Sequence, residues 1–254
     1  MDIEQELEVA KRLAHRPVLG TLEEKMAPQH TALVVIDMQN DFCASGGLVS
    51  RDGRDISAAQ AMAKRLPALL ESARRAGALV VFVRCLYTRD ANPYLSDVWL
   101  EQAARERRGG YTSIPVCREG SWEGDWYEDV RPQPADIVVT KHRYDAFQGT
   151  DLDLVLRSHG IRTVALTGVV TNVCVETTAR AAFVRDYYVA VVDDGCAAYV
   201  PEDHEHTLRN IRRFFGVTPS IRQLCAIWDA PASAATAGRS SPAASRQKSA
   251  LPAT

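Results

Sequence analysis

An open parallel β-sheet with helices on both faces is the fold the sequence predicts between Thr31 and about Trp228. Short apolar runs alternate there with segments of helical periodicity. The runs are apolar almost throughout, as strands buried on both faces are. At 254 residues and 46% hydrophobic content, the chain can also bury a full core as one α/β domain.

Residues 1–30 read as a charged, helical lead-in. Ala32–Ile36 is the first strand. Ser57–Ala76 has the spacing of one amphipathic helix ending at Gly77, and Ala78–Cys85 is the next strand. Leu86–Ala135 is irregular with one helix. Asp136–Thr140 is a strand, Asp151–His159 a helix stopped by Gly160, and Arg162–Thr167 a strand. Gly168 marks a turn, Thr171 and Asn172 are N-cap types, and Val173 to Arg185 is helical. A strand at Tyr188–Val192, a helix around Asp203–Phe214 and a short strand near Val217 follow. No internal repeat is present. The folded unit therefore spans 31–229, and residues 230–254, mostly Ala, Ser, Pro, Arg and Thr, are expected to be a disordered tail.

A net charge of −2 gives no electrostatic case for nucleic acid or an anionic membrane as partner. No apolar run approaches the roughly 18–20 residues of a spanning helix. Met1 to Ala14 lacks the apolar core of a signal peptide, so a cytoplasmic location is expected. The six cysteines (Cys43, Cys85, Cys117, Cys174, Cys196, Cys225) form no CxxC pair and read as reduced thiols.

Three polar residues share one structural position. Asp37 follows Leu33–Ile36, Lys141 follows Ile137–Thr140, and Cys174 follows the strand that ends before Gly168 and its turn. In open parallel sheets the ligand crevice lies outside the carboxyl ends of the strands. The carboxylate can accept the thiol proton, the ammonium holds that carboxylate ionised, and the thiolate attacks an electrophilic carbonyl. A helix start also favours a thiolate at Cys174. Taken singly, each residue has an ordinary explanation: a small buried hydrophobe, a turn residue, a solvated lysine. The shared placement is what joins them.

The blocks Ile36-Asp37-Met38-Gln39-Asn40-Asp41-Phe42, Lys141-His142-Arg143-Tyr144-Asp145-Ala146-Phe147 and Gly168 to Glu176 resemble, in order, the signatures of the isochorismatase-like cysteine hydrolases. The resemblance implies a three-layer α/β/α fold with a six-stranded parallel sheet. It also implies Asp37 as general base, Lys141 as its electrostatic partner and Cys174 as nucleophile. The family's oxyanion hole maps to the amides of Val170 and Cys174, and its cis peptide to Val169–Val170.

Among members, Cys174 argues for amide or ureide hydrolysis, because true isochorismatases cleave a vinyl ether without the cysteine. Nicotinamidases bind a metal through an Asp-x-His block after the second strand. Here that stretch, Arg84 to Asp90, has no histidine, so neither metal nor other cofactor is expected. The second and third blocks, with Thr150 to Asp153, Leu156 to Ser158 and Val175 to Arg180, resemble ureidoacrylate amidohydrolases and N-carbamoylsarcosine amidases most closely. Asp145 departs from the serine common in the ureidoacrylate group. The implied partner is a small ureido or carboxamide compound, with ammonia released through a thioester-type intermediate. By the same resemblance Tyr144 contacts the ureido group, and Asn92 and Phe42 are further pocket candidates. Relatives are commonly homo-oligomers. Cys43 lies near the expected mouth as an oxidisable thiol. The arginines of Arg105-Glu106-Arg107-Arg108 either face solvent or touch a substrate carboxylate.

Alternatives stay open at this point. One is a biuret or other carboxamide hydrolase of the same family. Another is a non-catalytic flavodoxin-like or dinucleotide-binding module, although the turn Asp37 to Asp41 is acidic and lacks phosphate-cradling glycines. The third is a redox sensor acting through Cys174.

Overall fold

The computed structural model describes residues 2–88, 93–105, 116–128 and 130–231. Six parallel strands form one sheet: β1 (Thr31–Ile36), β2 (Leu79–Cys85), β3 (Ile137–Lys141), β4 (Thr163–Val169), β5 (Tyr188–Ala197) and β6 (Gly216–Val217). Their order is β3-β2-β1-β4-β5-β6. The central pair, β1 and β4, is buried along its whole length, which explains why both read as unbroken apolar runs.

Alternation in β1 sorts the core into two layers. Leu33 and Val35 pack with Leu66, Leu69, Ala73, Ile221 and Leu224 beneath the helices Ser57–Ala63, Leu66–Ala76 and Ile221–Trp228. Ala32, Val34 and Ile36 pack with Leu152, Leu156, Ala179, Leu208 and Ile211 beneath Leu152–Ser158, Glu176–Phe183 and Pro201–Phe214. This is the expected three-layer arrangement. Truncating a fully buried leucine such as Leu69 to alanine in either layer costs about 2–5 kcal/mol.

Several elements differ from the sequence reading. The helix expected over Ser57–Ala76 is two helices broken at Lys64–Arg65. Pro67 lacks an N–H and its ring opposes the carbonyl of Ala63, so it can only open a new helix. Strand β4 runs two residues further than expected and includes Gly168. Strand β5 continues to Ala197 across a register shift, with Leu166 opposite Val191 but Gly168 opposite Cys196. The helix Ile221–Trp228 was not anticipated, although a Ser220/Gln223 capping box and the stripe Ile221, Leu224, Trp228 define it. Trp228 Nε1 donates to Met26 O at 2.8 Å, which ties the end of the domain to the lead-in. Apart from Ala230 and Pro231, the expected tail lies outside the described residues. No helix among the described residues is long and apolar enough to cross a membrane.

Candidate active site

The strand order reverses direction between β1 and β4, and the crevice of an open sheet forms outside the strand ends at such a switch. Asp37 leaves β1 there, Lys141 closes β3, and Cys174 follows β4. Lys141 Nζ lies 2.8 Å from Asp37 Oδ2, donates to Cys174 Sγ at 3.5 Å and donates to the Arg143 carbonyl at 3.0 Å. The three residues are 1%, 1% and 7% exposed, so they meet in a nearly water-free floor. Asp37 takes a left-handed backbone (φ 53°), an uncommon conformation for a side-chain-bearing residue that re-aims the chain as it leaves the strand.

Burial governs the electrostatics. It pushes the Asp37 carboxyl above its ordinary range, against the pull of the Lys141 ammonium and the neighbouring Cys174 thiol. Desolvation alone would lower Lys141, but the Asp37 carboxylate and Cys174 outweigh it and keep the lysine charged. Burial also raises the Cys174 thiol, opposed by Lys141 and reinforced by Asp37. The thiolate expected from the helix start is therefore outweighed by desolvation. Burial thus favours the protonated thiol at Cys174, while Lys141 pulls Asp37 toward the carboxylate. The Asp37 carboxylate faces both Lys141 and the Cys174 thiol, which sets a proton acceptor beside the thiol proton.

The turn carrying Cys174 departs from the expected geometry. Gly168 is a strand residue at φ 110°, and a Cβ there would sit 2.1 Å from the Ile36 carbonyl oxygen. Only glycine lets β4 approach β1 this closely. The peptide Val169–Val170 is cis. Thr171–Val175 is a wide π turn before the α-helix Glu176–Phe183, so Cys174 precedes that helix instead of lying in its first turn.

Thr171 and Asn172 do not cap the helix. Thr171 Oγ1 pairs with His204 Nδ1 at 2.9 Å, and Asn172 Nδ2 donates to Asp203 at 3.1 Å. One turn on, Glu176 accepts from Thr207 (2.7 Å), Asn210 (3.1 Å) and Arg180 (2.7 Å). Although burial raises Glu176, the bonds from Thr207, Arg180 and Asn210 hold it below the ordinary range. These contacts clamp the turn carrying Cys174 to the helix Pro201–Phe214. His204 Nε2 in turn faces Asp193 at 3.6 Å. Sequence reasoning missed this clamp. Its trace was the polar row Asp203, Thr207 and Asn210 on one helix face, spaced to meet Asn172 and Glu176.

The acidic turn after β1 is structural bracing. Gln39 is fully buried, accepts from Cys85 N at 2.8 Å and donates to the carbonyls of Cys85 and Gly124 at 2.9 Å each. Asp41 accepts from Leu48 N and Cys117 N at 2.9 and 2.7 Å. These bonds hold one wall of a cavity of about 290 Å³ that contains the Asp37, Lys141 and Cys174 side chains. Phe42, Trp99, Tyr144 and Val170 contribute to the remaining wall, so two of the three expected pocket residues are in place. Trp99 and Tyr144 pack ring to ring at 4.6 Å. Asn92 lies outside the described residues, as do Glu106, Arg107, Arg108 and the Arg105 side chain.

Cys43 is not at the mouth. It is fully buried, and desolvation raises its thiol far above the ordinary value. Cys85, expected only at a buried strand end, does occupy one but also borders the cavity.

Comparison with known proteins decides the lineage of this arrangement. Residues 31–223 match the isochorismatase domain. The chain belongs to the isochorismatase family. Within that frame it is 34% identical over 205 residues to a ureidoacrylate amidohydrolase (RutB) of Enterobacter sp. strain 638, covering 78% of this chain and 89% of the relative. A cysteine hydrolase from Pseudomonas syringae pv. phaseolicola superposes with a TM-score of 0.71 at 25% identity, over 85% of this chain and 99% of that one. N-carbamoylsarcosine amidase from Thermoplasma acidophilum does so at 0.58 and 28% identity, over 75% and 95%. Among the described residues no group of three or more His, Cys, Asp or Glu side chains is placed to hold a metal ion.

Proposed function

We propose that this protein is a cysteine amidohydrolase that cleaves the C–N bond of a small ureido or carboxamide compound and releases ammonia. Family membership and the named amidohydrolase relatives support a hydrolase of amide C–N bonds. The single observation carrying the mechanism is the buried contact of Lys141 with both Asp37 and Cys174.

In that mechanism Asp37 takes the Cys174 proton as sulfur attacks the carbonyl carbon. Lys141 holds Asp37 ionised until then and offsets charge building on sulfur. The amides of Val170 and Cys174 receive the oxyanion. As the C–N bond breaks, the departing amine takes the proton back from Asp37, leaving an acyl or carbamoyl thioester. Water then adds to that carbonyl, passing its proton to Asp37, and the C–S bond breaks. Cys174 regains its proton. A carboxamide yields ammonia and an acid; a terminal carbamoyl group yields a carbamate that decays to carbon dioxide and ammonia.

A step through neutral thiol suits a site in which burial keeps the resting cysteine protonated. The base acts during attack, so no standing thiolate is required. Tyr144 borders the cavity beside Trp99, which supports its assignment as the contact of the ureido group.

The test is an ammonia-release screen on 3-ureidoacrylate, N-carbamoyl amino acids, biuret and simple carboxamides. Acid-quenched protein is then examined by peptide mass spectrometry. Turnover of at least one class, with a substrate-derived adduct on the Cys174 peptide, is expected. An adduct on another cysteine, or undiminished turnover by Cys174→Ala, removes the mechanism. No ammonia from any of the four classes removes the substrate assignment.

A further inference from the structure

We infer that Glu176 is a positioning residue of the proposed hydrolysis, an inference that rests on Cys174 being its nucleophile. Glu176 opens the helix Glu176–Phe183 two residues after Cys174, and its side chain is 17% exposed. It stands outside the lining of the cavity that contains Cys174 and borders a separate hollow with Asp203, His206, Thr207 and Asn210. It therefore acts on the reaction through the backbone it holds, without touching substrate.

The Cys174 turn has no cap of its own. No side chain caps Thr171–Val175 or the helix that follows it. Backbone bonds close it: the amides of Val173 and Val175 donate to the Val170 carbonyl, and the Glu176 amide to the carbonyls of Thr171 and Val173. Single π turns of this kind are frequent at functional sites. Glu176 thus closes the turn with its backbone and fastens it with its side chain. Its Oε2 accepts from Thr207 at 2.7 Å, and its Oε1 accepts from Asn210 at 3.1 Å and from Arg180 at 2.7 Å. Upstream, Thr171 and Asn172 are tied to His204 and Asp203.

Cys174 is held between these two attachments, and every partner except Arg180 lies on the helix Pro201–Phe214. The Glu176 attachment is the stronger one. It uses both oxygens of a carboxylate, its partner Thr207 is 3% exposed, and the start of a helix favours a negative charge. Releasing it frees the downstream end of the turn. A displacement of Cys174 by about 1 Å from Asp37 and the carbonyl it attacks costs on the order of a hundredfold in rate.

The experiment compares Glu176→Ala and Glu176→Gln with Leu69→Ala, a destabilising change in the opposite core layer. Each is assayed where circular dichroism shows it fully folded. In Glu176→Ala, kcat should fall about tenfold to a hundredfold with KM within about twofold. Glu176→Gln keeps an acceptor for Thr207 and should recover most of that loss. Leu69→Ala should turn over at the wild-type rate. The acid limb of the pH profile should stay in place in all three, because Asp37 and Lys141 are untouched. A second readout needs no substrate. Iodoacetamide should modify Cys174 about fivefold faster in Glu176→Ala, the worth of one hydrogen bond lost from the turn, and at the wild-type rate in Leu69→Ala. Wild-type kcat in Glu176→Ala, an equal loss in Leu69→Ala, a displaced acid limb or an unchanged alkylation rate overturns the proposal. If Glu176→Ala does not fold, Thr207→Val and Asn210→Ala remove the same attachment from the other helix. Each should lower kcat by about threefold to tenfold. Wild-type turnover by Cys174→Ala would sink the nucleophile itself, whereas a Cys174-dependent reaction indifferent to Glu176→Ala sinks the positioning alone.

Discussion

The floor and the mouth of the cavity are built on opposite principles. Asp37, Lys141 and Cys174 are almost wholly buried, sit on or next to the ends of three strands, and contact one another. Phe42, Trp99 and Tyr144 are half-buried and belong to connecting segments or to the helix Asp97–Arg105. The floor draws on the stiffest part of the molecule, where sheet hydrogen bonds and two core layers fix each backbone. The mouth draws on parts that vary without disturbing the sheet. A hydrolase arranged this way keeps its chemistry in the floor and its choice of substrate in the mouth. Lesions in the two regions should therefore have different kinetic signatures.

The largest effect should come from the floor. Asp37→Asn keeps the shape of the side chain but removes the proposed base, and kcat should fall by about a hundredfold to ten-thousandfold, as loss of general-base catalysis does. KM should change little. Steady-state kinetics on whichever substrate the ammonia screen identifies would show it. A comparable rise in KM with kcat preserved would break the division between floor and mouth.

Next in size is a displaced pH profile. In the proposed mechanism Asp37 must be ionised to act, and burial raises its pKa, so kcat/KM should fall as pH drops through a midpoint above the ordinary carboxylate range. Lys141 opposes that rise. Lys141→Ala should accordingly move the acid limb further upward, and Lys141→Gln serves as the bulkier control. An acid limb at or below the ordinary carboxylate value in the wild type would contradict the buried floor.

The mouth should give a smaller and different change. Tyr144→Phe should raise KM by up to about tenfold, the worth of one neutral hydrogen bond, and leave kcat within about twofold. A fall in kcat matching that of Asp37→Asn would place Tyr144 in the chemistry itself. The smallest expected effect is that of EDTA. No metal-binding group of side chains is found among the described residues, and the proposed steps use only Asp37, Lys141, Cys174 and two amides. Activity after prolonged chelation should therefore match the untreated enzyme. Loss reversed by zinc or iron would require a metal that this mechanism lacks.

The difference between floor and mouth also divides what could be read in advance. Asp37 and Lys141 each follow an apolar run, so their shared level at the edge of a parallel sheet was legible once the strands were. The buried doublet β1 and β4 was legible for the same reason, because burial on both faces leaves no polar alternation. Phe42 and Tyr144 were reached through resemblance. Trp99 gave no local signal of a cavity, since nothing in the sequence of the helix Asp97–Arg105 states which strand end it packs over.

By itself the sequence determined the order of the strands, the two-sided core and the identity of the polar groups at three strand ends. Those properties depend on periodicity and on backbone preferences that act over a few residues. Only the tertiary structure decided the state and setting of those groups. Nothing near Cys174 in sequence announces that burial raises its thiol, because that burial is made by strands and helices from several parts of the chain. Thr171 and Asn172 have the chemistry of caps, yet they bond to His204 and Asp203 because the helix Pro201–Phe214 packs against their turn. The same holds for Gly168: its residue type suggested a turn, and the close approach of Ile36 made it a strand residue. In each case a long-range contact outweighs a local preference, since packing and desolvation are larger than the few tenths to one kcal/mol, roughly, that separate local conformations.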